Sequence, residues 1–437
     1  MDAHERRFTV LIWITRLARN ALSSLIPPLI PILAVALDYP LWQLGLLVTI
    51  FSVGSGLGQA PFGYLSDKYD RRYILPTGVG FAGTSYLLFA SAPRIAPAIP
   101  TPSVSPFDSA FLVMCVSMLL CGVGTSVVHP TLYPMISENV RETNKGKVMG
   151  VFGSAAKVGD ATTPILVGVL ILVLIWEEIM LVLGLFGLAF SALLFVVLAE
   201  FETEPAEAHA TDEEEETETV WESDNREYVY PMVVIYLFFI TRGFAGRGIK
   251  TFVPAFIVGV YGYTVTVAGL SFGAESIANF YFSTLLVVGA GTQLLVGWYV
   301  DGSDARTVLI ACMLAATVSI LALAYLPLSP LWLLAVLLVV GIGIWGLNPA
   351  RDMLISDVTP AEREGRTFGY LWTAAHLTSA IIPTLVGYIA DTFGLRQSFG
   401  VLAIGSFLAA VSVLLLYSDR VYVNPERDHS GRPSVDS

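Results

Sequence analysis

The chain has 437 residues, of which 55% are hydrophobic and 14% charged, with a formal net charge of −12 and a mean hydropathy of +0.69. Ordinary soluble domains carry about a quarter charged residues, so this composition excludes a soluble globular protein. The apolar residues gather in blocks such as Phe111–Val128, Ile179–Ala199 and Val308–Leu326, close to the ~20 residues that cross roughly 30 Å of hydrocarbon.

Alternating ten-residue strands, the pattern of a membrane barrel, are absent, so the spans read as helices that satisfy their own backbone groups. The opening stretch Met1–Arg7 runs into apolar sequence without a small-residue cleavage site and reads as the lead-in to a retained helix. Hydropathy predicts spans near residues 9–36, 42–64, 73–92, 108–136, 148–175 and 178–199. An acidic run follows from Glu200 to Glu227, including Asp212-Glu-Glu-Glu-Glu-Thr-Glu, and holds much of the net charge. Such a run is a solvated linker rather than a binding site. Six more spans are predicted near 230–258, 272–299, 307–326, 331–356, 368–390 and 396–417. Cys115, Cys121 and Cys312 all fall inside spans and read as small apolar fillers.

These spans define an all-α integral membrane protein with twelve transmembrane helices in two pseudo-symmetric six-helix bundles. The expected division is 1–199 for the first bundle, 200–228 for the linker, 229–420 for the second bundle and 421–437 for a tail. Charge predicts orientation. With both termini cytoplasmic, the inner segments hold sixteen Lys and Arg residues, from Arg6, Arg7, Lys68, Arg71 and Arg72 through Arg306 and Arg351 to the tail, and the outer segments only Arg94 and Arg396. That asymmetry matches the positive-inside rule.

The halves repeat. Gln59-x-x-x-Gly63-x-x-x-Asp67-x-x-Asp70-x-Arg72 recurs 234 residues on as Gln293-x-x-x-Gly297-x-x-x-Asp301-x-x-Asp304-x-Arg306. Gly122-x-Gly124-x5-Pro130 recurs 219 residues on as Gly341-x-Gly343-x5-Pro349. Thr15-Arg16 and Pro28 meet Thr241-Arg242 and Pro254 at a shift of 226, and the offsets differ because loop lengths differ. Duplicated halves joined by a polar linker are the organisation of a carrier with its site at the repeat interface.

The segment Gly63-Tyr-Leu-Ser-Asp67-Lys-Tyr-Asp70-Arg71-Arg72 resembles the G-x-L-x-D-R-x-G-R-R loop of the major facilitator superfamily, with Asp70 where that family has glycine. Its echo is Gly297-Trp-Tyr-Val-Asp301-Gly-Ser-Asp304-Ala-Arg306. The resemblance covers essentially the whole chain. It implies that Gly63, Asp67, Arg71 and Arg72, with Asp301 and Arg306, form a loop that latches the cytoplasmic gate. The same charges also read as topogenic residues holding the loop inside, and both readings stand. Drug–proton antiporters of that family carry an arginine four residues before the span-4 G-x-G, where this chain has Met118. Their span-5 Gly-Pro motif is replaced by Gly153-Ser-Ala-Ala-Lys157-Val-Gly159-Asp160-Ala-Thr-Thr-Pro164.

Ionisable residues inside spans are costly and usually face a cavity or one another. Six are basic (Arg16, Arg19, Lys157, Arg242, Arg247 and Lys250), and the clearly buried acid is Asp160. Arg16, Asn20, Ser23 and Pro27 share one face of span 1, as Arg247, Lys250 and Pro254 do on span 7. The repeat pairs Arg16 with Arg242, Lys157 with His376, and His129 with Asn348. Arginine resists deprotonation and grips carboxylate or phosphate, so these basic residues and His376 are the candidate ligands for an anionic solute. Arg16 and Arg242 resemble the pair that clasps the anion in the organic-anion and organophosphate branches of the superfamily. Asp160, His129 and His376 are candidates for carrying a proton. Bland readings stay open beside these: Arg16 as a snorkelling residue, Lys157 and Asp160 as a structural ion pair, His129 as packing.

The expected function is therefore secondary active transport of a small anion across the cell membrane by alternating access. The expected partners are the solute, the bilayer and a coupling ion such as H+. An alternative of the same fold is an efflux carrier for drugs or hydrophobic compounds. An enzyme or sensor lacks support: the sequence holds no G-x-x-x-x-G-K-[ST], H-E-x-x-H or G-x-S-x-G motif, and nothing points to a cofactor, a metal or nucleic acid.

Overall fold

A computed structural model describes residues 1–99, 107–204, 226–267, 269–300, 302–357, 371, 375 and 378–417. The first predicted span is two helices, α1 (Ala3–Ser23) and α2 (Ile26–Leu37). Pro27 and Pro28 explain the break: they lack backbone N–H groups, which suits the first turn of a new helix. Asp2 caps α1, its side chain accepting from Glu5 N while its own N–H donates to Glu5 Oε2. Next come α3 (Leu41–Lys68) and α4 (Arg71–Ile95), the latter capped by Asp70. The fourth span is α5 (Ser109–Ser126), capped by Asp108, with α6 (Val128–Asn139). The first half closes with α7 (Glu142–Leu170) and α8 (Trp176–Val197).

In the second half, α9 (Arg226–Phe256) runs into a π-helical turn, Ile257–Tyr261. Then follow α10 (Ala274–Val300) and α11 (Ala305–Tyr325), capped by Asp304. The tenth span is α12 (Pro330–Gly341), a π turn at Ile342–Gly346, and α13 (Asn348–Asp357). The last helices are α14 (Ile382–Phe393) and α15 (Leu395–Leu414). Hydropathy missed a small hairpin between α9 and α10, β1 (Val265–Val267) with β2 (Leu270–Phe272), paired antiparallel with Thr266 opposite Ser271.

Among the described residues, ten helical stretches are long and apolar enough to cross a membrane. The other two of the twelve are α7, whose apolar run is interrupted by Lys157 and Asp160, and α14, whose preceding residues are partly outside the described set.

The chain divides into two compact units. One comprises Met1–Thr211, Thr251–Ser283 and Pro383–Asp391; the other comprises Asp212–Lys250, Thr284–Ile382 and Thr392–Ser437. In the first, α3 packs on α5, α4 on α5 and α8, and α1 on α7. Its core gathers Phe8, Ile12, Leu75, Val128, Leu132, Met135, Phe152 and Leu194. In the second, α11 packs on α12 and α15.

Lipid is as apolar as leucine, so helix association within a bilayer rests on close packing at small residues. The repeated glycines supply it. A Cβ on Gly122 would fall against Phe51 O, and one on Gly341 would stand 2.5 Å from Leu285 O. Likewise Gly124 faces Gly78 O at 2.6 Å and Gly343 faces Cys312 O at 2.7 Å. The partners Phe51 and Leu285, and Gly78 and Cys312, are themselves related by the 234-residue shift. The sequence repeat is thus a repeat of contacts.

Two further features frame the first unit. The start of the acidic segment is docked: Asn139 donates to Glu202 O and accepts from Glu202 N, while Arg71 N donates to Thr203 O. At the helix ends opposite the Asp67 loop, the Asp391 carboxylate of α14 accepts from Leu41 N and Trp42 N at 3.0 and 2.8 Å, capping α3. Thr49 and Thr384 share a 2.8 Å hydrogen bond, and Ser283 Oγ donates to Ala161 O at 2.6 Å. Nearby, Tyr39 donates to Asp108 at 2.8 Å, and burial together with that bond pushes the phenol well above its ordinary range.

Candidate functional site

In the first unit, Arg16 projects from α1 toward α6 and α7. Its Nη1 donates to His129 Nε2 at 2.7 Å, and its guanidinium lies over the Phe152 ring, 4.9 Å from the centroid. An arginine has only donors, so Nε2 must be the acceptor and the neutral ring carries its proton on Nδ1. His129 stacks on Tyr133, whose ring meets Phe152 edge-on. Arg16 Nε is buried without a hydrogen-bond partner among the described residues.

One turn on, Arg19 Nε donates to Thr125 O at 3.1 Å and Nη1 to Asn20 Oδ1 at 3.3 Å. Asn20 Nδ2 in turn donates to Asp160 Oδ1 at 3.2 Å, and Ser24 Oγ donates to the same oxygen at 2.7 Å. Of the predicted face of span 1, Asn20 thus reaches the buried acid of α7, joined by Ser24 rather than by Ser23, whose Oγ donates to Asn20 O. Lys157 sits one turn before Asp160 on α7, half-buried.

The second unit repeats the first arrangement. Arg242 Nη2 donates to Ile344 O at 2.7 Å and to Asn348 Oδ1 at 2.8 Å, and Arg242 Nε is again buried without a partner among the described residues. Ile344 lies in the π turn, where the wider helix leaves a carbonyl to accept a side chain. The residues that the repeat pairs, His129 and Asn348, are thus the ones that hold the paired arginines.

Arg351 completes this socket and was missed as a site residue, because it reads as one more inner-side positive charge. It is 4% exposed. Its Nη1 donates to Asn348 Oδ1 at 3.1 Å, it pairs with Asp352 at 2.7 Å, and its guanidinium lies over Phe239. The repeat gave no signal, since the position 219 residues earlier is Leu132. Arg247 and Lys250 lie further along α9, both half-buried. His376 and Asp301 lie outside the described residues.

The loop charges engage their own half. Arg71, 3% exposed, donates to Glu138 at 2.5 Å and to Ser66 Oγ at 3.0 Å, and Ser66 Oγ donates to Pro130 O. Arg72 Nε donates to Phe195 O near the end of α8, and Arg306 Nη1 donates to Leu416 O just past the end of α15. Asp70 and Asp304 accept from Arg72 N and Arg306 N at 2.8 and 2.9 Å. Gly63 faces Pro130 and Gly297 faces Pro349, while Asp67 is exposed.

A polytopic helical membrane protein of two repeated halves, each with a buried arginine whose Nε is unspent, defines a carrier-like class rather than an enzyme. The chain belongs to the Major Facilitator Superfamily, whose family model matches residues 12–290 and 271–435. It is 24% identical over 386 residues to the hexuronate transporter of Bacillus subtilis, covering 85% of each chain. Several other matches are partial: the chain spans only 29% to 38% of the length of the relatives in question. Among these, the multi-drug resistance efflux pump PmrA of Streptococcus pneumoniae is 30% identical over 156 residues, 35% of this chain and 38% of that one. A bacterial homolog to the human lysosomal transporter Spinster has the same fold, with a TM-score of 0.76 at 15% identity over 97% of this chain and 98% of that one.

Proposed function

We propose that this chain is a secondary active transporter that moves a small organic anion across the cell membrane by alternating access, with both termini cytoplasmic. The halves that move are 1–199 and 229–420, joined by the acidic linker 200–228 and followed by the cytoplasmic tail 421–437. Arg16 and Arg242 are the main ligands, assisted by Arg19, Arg247, Lys250, Lys157 and His376. The loop with Asp67, Arg71, Arg72, Asp301 and Arg306 serves the cytoplasmic gate.

One observation carries this reading. Each repeated arginine is held at its tip by a neutral acceptor while its Nε stays buried and, among the described residues, unpaired. A buried charged donor left open is costly, and a carboxylate or phosphate removes that cost. The cations on and around α1 and α9 also outnumber Asp160 and Asp352. The anionic name of the hexuronate relative supports the same class.

Efflux of hydrophobic compounds is the second reading, favoured by the partial likeness to PmrA. It leaves the arginine sockets without a role, and Met118 stands fully buried where the antiporter arginine would be.

Uptake of labelled D-glucuronate and D-galactonate into proteoliposomes tests the proposal. Saturable uptake that falls at least about tenfold in both Arg16→Ala and Arg242→Ala supports it, since removing one partner of a buried charge-assisted contact costs about 2–5 kcal/mol. Transport of ethidium, unchanged in both variants and without any anion uptake, would replace it with the second reading.

A further inference from the structure

We propose that His129 is the proton-coupling group of the carrier: a proton taken up on its Nε2 releases Arg16 to hold the anion. The inference rests on the anion reading above and assigns its coupling ion.

The two sockets make the same hydrogen bond with unlike acid–base chemistry. Arg16 is held by a histidine nitrogen at 2.7 Å and Arg242 by an amide oxygen at 2.8 Å. An amide does not titrate in water's range, so the Asn348 socket keeps its bond at every pH. Histidine, with an ordinary pKa of about 6.5, does change charge there. Once Nε2 is protonated, both ring nitrogens are donors. The acceptor disappears and an imidazolium faces a guanidinium. The Nη1 donor is then released in addition to the open Nε, and the guanidinium has one more N–H to offer an incoming anion. Loss of the anion restores the pull of Arg16 on Nε2 and expels the proton. By linkage, proton and anion favour each other's binding, which is the thermodynamic requirement for moving together.

Helices α1, α3, α4, α5 and α7 pack on α6, and all but α5 carry charged residues. Helix α1 brings Arg16 and Arg19, and α7 brings Lys157 and Asp160. Helix α6 itself carries Tyr133, stacked on the ring. At the far end of α6, Arg71 of α4 is paired with Glu138. Asp67 of α3 is exposed. Asp160 is the rival proton acceptor. Its Oδ1 already accepts from Asn20 and Ser24, which fits a positioning residue fastening α1 to α7.

The test measures the affinity of D-glucuronate, which stays ionised throughout, for the full chain in detergent between pH 5.5 and 8. Wild type should bind more tightly as the pH falls, by up to about tenfold per pH unit, the limit for one linked proton. His129→Asn copies the Asn348 socket; it should still bind, at the wild-type level of pH 8, and with no pH dependence. His129→Gln is the second variant, and Asp160→Asn should keep the pH dependence. In pyranine-loaded vesicles, glucuronate entry should acidify the lumen for wild type and not for His129→Asn. Wild-type binding that is equal at all pH values overturns the inference, as does pH dependence retained in both His129 variants or lost in Asp160→Asn. Loss of binding in both His129 variants at every pH also overturns it, making His129 a mere socket residue. If neither glucuronate nor any other carboxylate binds wild type at any pH, it is the anion reading itself that fails.

Discussion

Arg16 and His129, 113 residues apart, meet at 2.7 Å, and the pair that repeats them, Arg242 and Asn348, meets at 2.8 Å across 106 residues. Duplication has kept the cation and its geometry while exchanging the acceptor. Each guanidinium is held by its tip, which fixes its direction without spending its Nε. Such preorganisation is what an anion site needs, because the arginine is ordered before the ligand arrives.

The charge alone is then insufficient. Arg16→Lys and Arg242→Lys keep a cation but lose the planar fork and the Nε donor. Each should weaken glucuronate binding by about tenfold or more, measured by titration calorimetry. The melting temperature of the unliganded protein should change little. Equal affinity in the lysine variants would mean that the sockets act only as point charges.

The loop below the first half joins a structural pair and a free acid. Arg71 is 3% exposed, and its partner Glu138 keeps 17% of its side chain accessible. Breaking a buried pair leaves an uncompensated charge and costs about 3–5 kcal/mol, and the partial exposure of Glu138 puts Glu138→Gln at or below the lower end. Its melting temperature should fall clearly. Asp67→Asn, at an exposed site, should leave melting unchanged and alter transport rate. Equal melting of both variants would remove the structural role of Arg71.

Gly122→Ala and Gly341→Ala should each destabilise by about 1–3 kcal/mol, the range for overpacking, because the added carbon meets a backbone carbonyl of the neighbouring helix. Gly150→Ala is the control: nothing lies within 4 Å of its Cβ, and alanine favours helix by about 1 kcal/mol. Thermal unfolding followed in detergent should therefore move in opposite directions for the two classes.

Much of this was legible in sequence. Hydropathy located most of the described helices to within a few residues, because a span must be apolar over a fixed length; the starts predicted at 9 and 148 fall at Ala3 and Glu142, and the start predicted at 368 lies outside the described residues. The repeats Gly122/Gly341 and Arg72/Arg306 correctly paired positions that make the same contact in each half. The sequence could pair His129 with Asn348 but not reveal that they touch the arginines, since side-chain partners on different helices leave no local pattern. Arg351 was hidden for a different reason: near the end of a span, a buried arginine and a topogenic one look alike in sequence.

Asp391 was invisible on the same grounds, being 350 residues from Leu41. A carboxylate on the first N–H groups of a helix is a cap worth about 1 kcal/mol, and among the described residues no other side chain caps α3, whose N-cap is Pro40. Asp391→Ala should lower stability by about that amount in denaturant titration, and Asp391→Asn by less. No change in the alanine variant would show that water replaces the cap.

The most direct measurement is a thermal-shift screen of the purified protein against sugar acids, phosphate esters, inorganic anions and lipophilic cations, repeated with Arg16→Ala and Arg242→Ala. A ligand that binds only the folded form raises the melting temperature with its concentration over Kd. One class of organic anion should stabilise the protein, and both variants should lose that stabilisation. Stabilisation by lipophilic cations alone, undiminished in both variants, would contradict the anion reading.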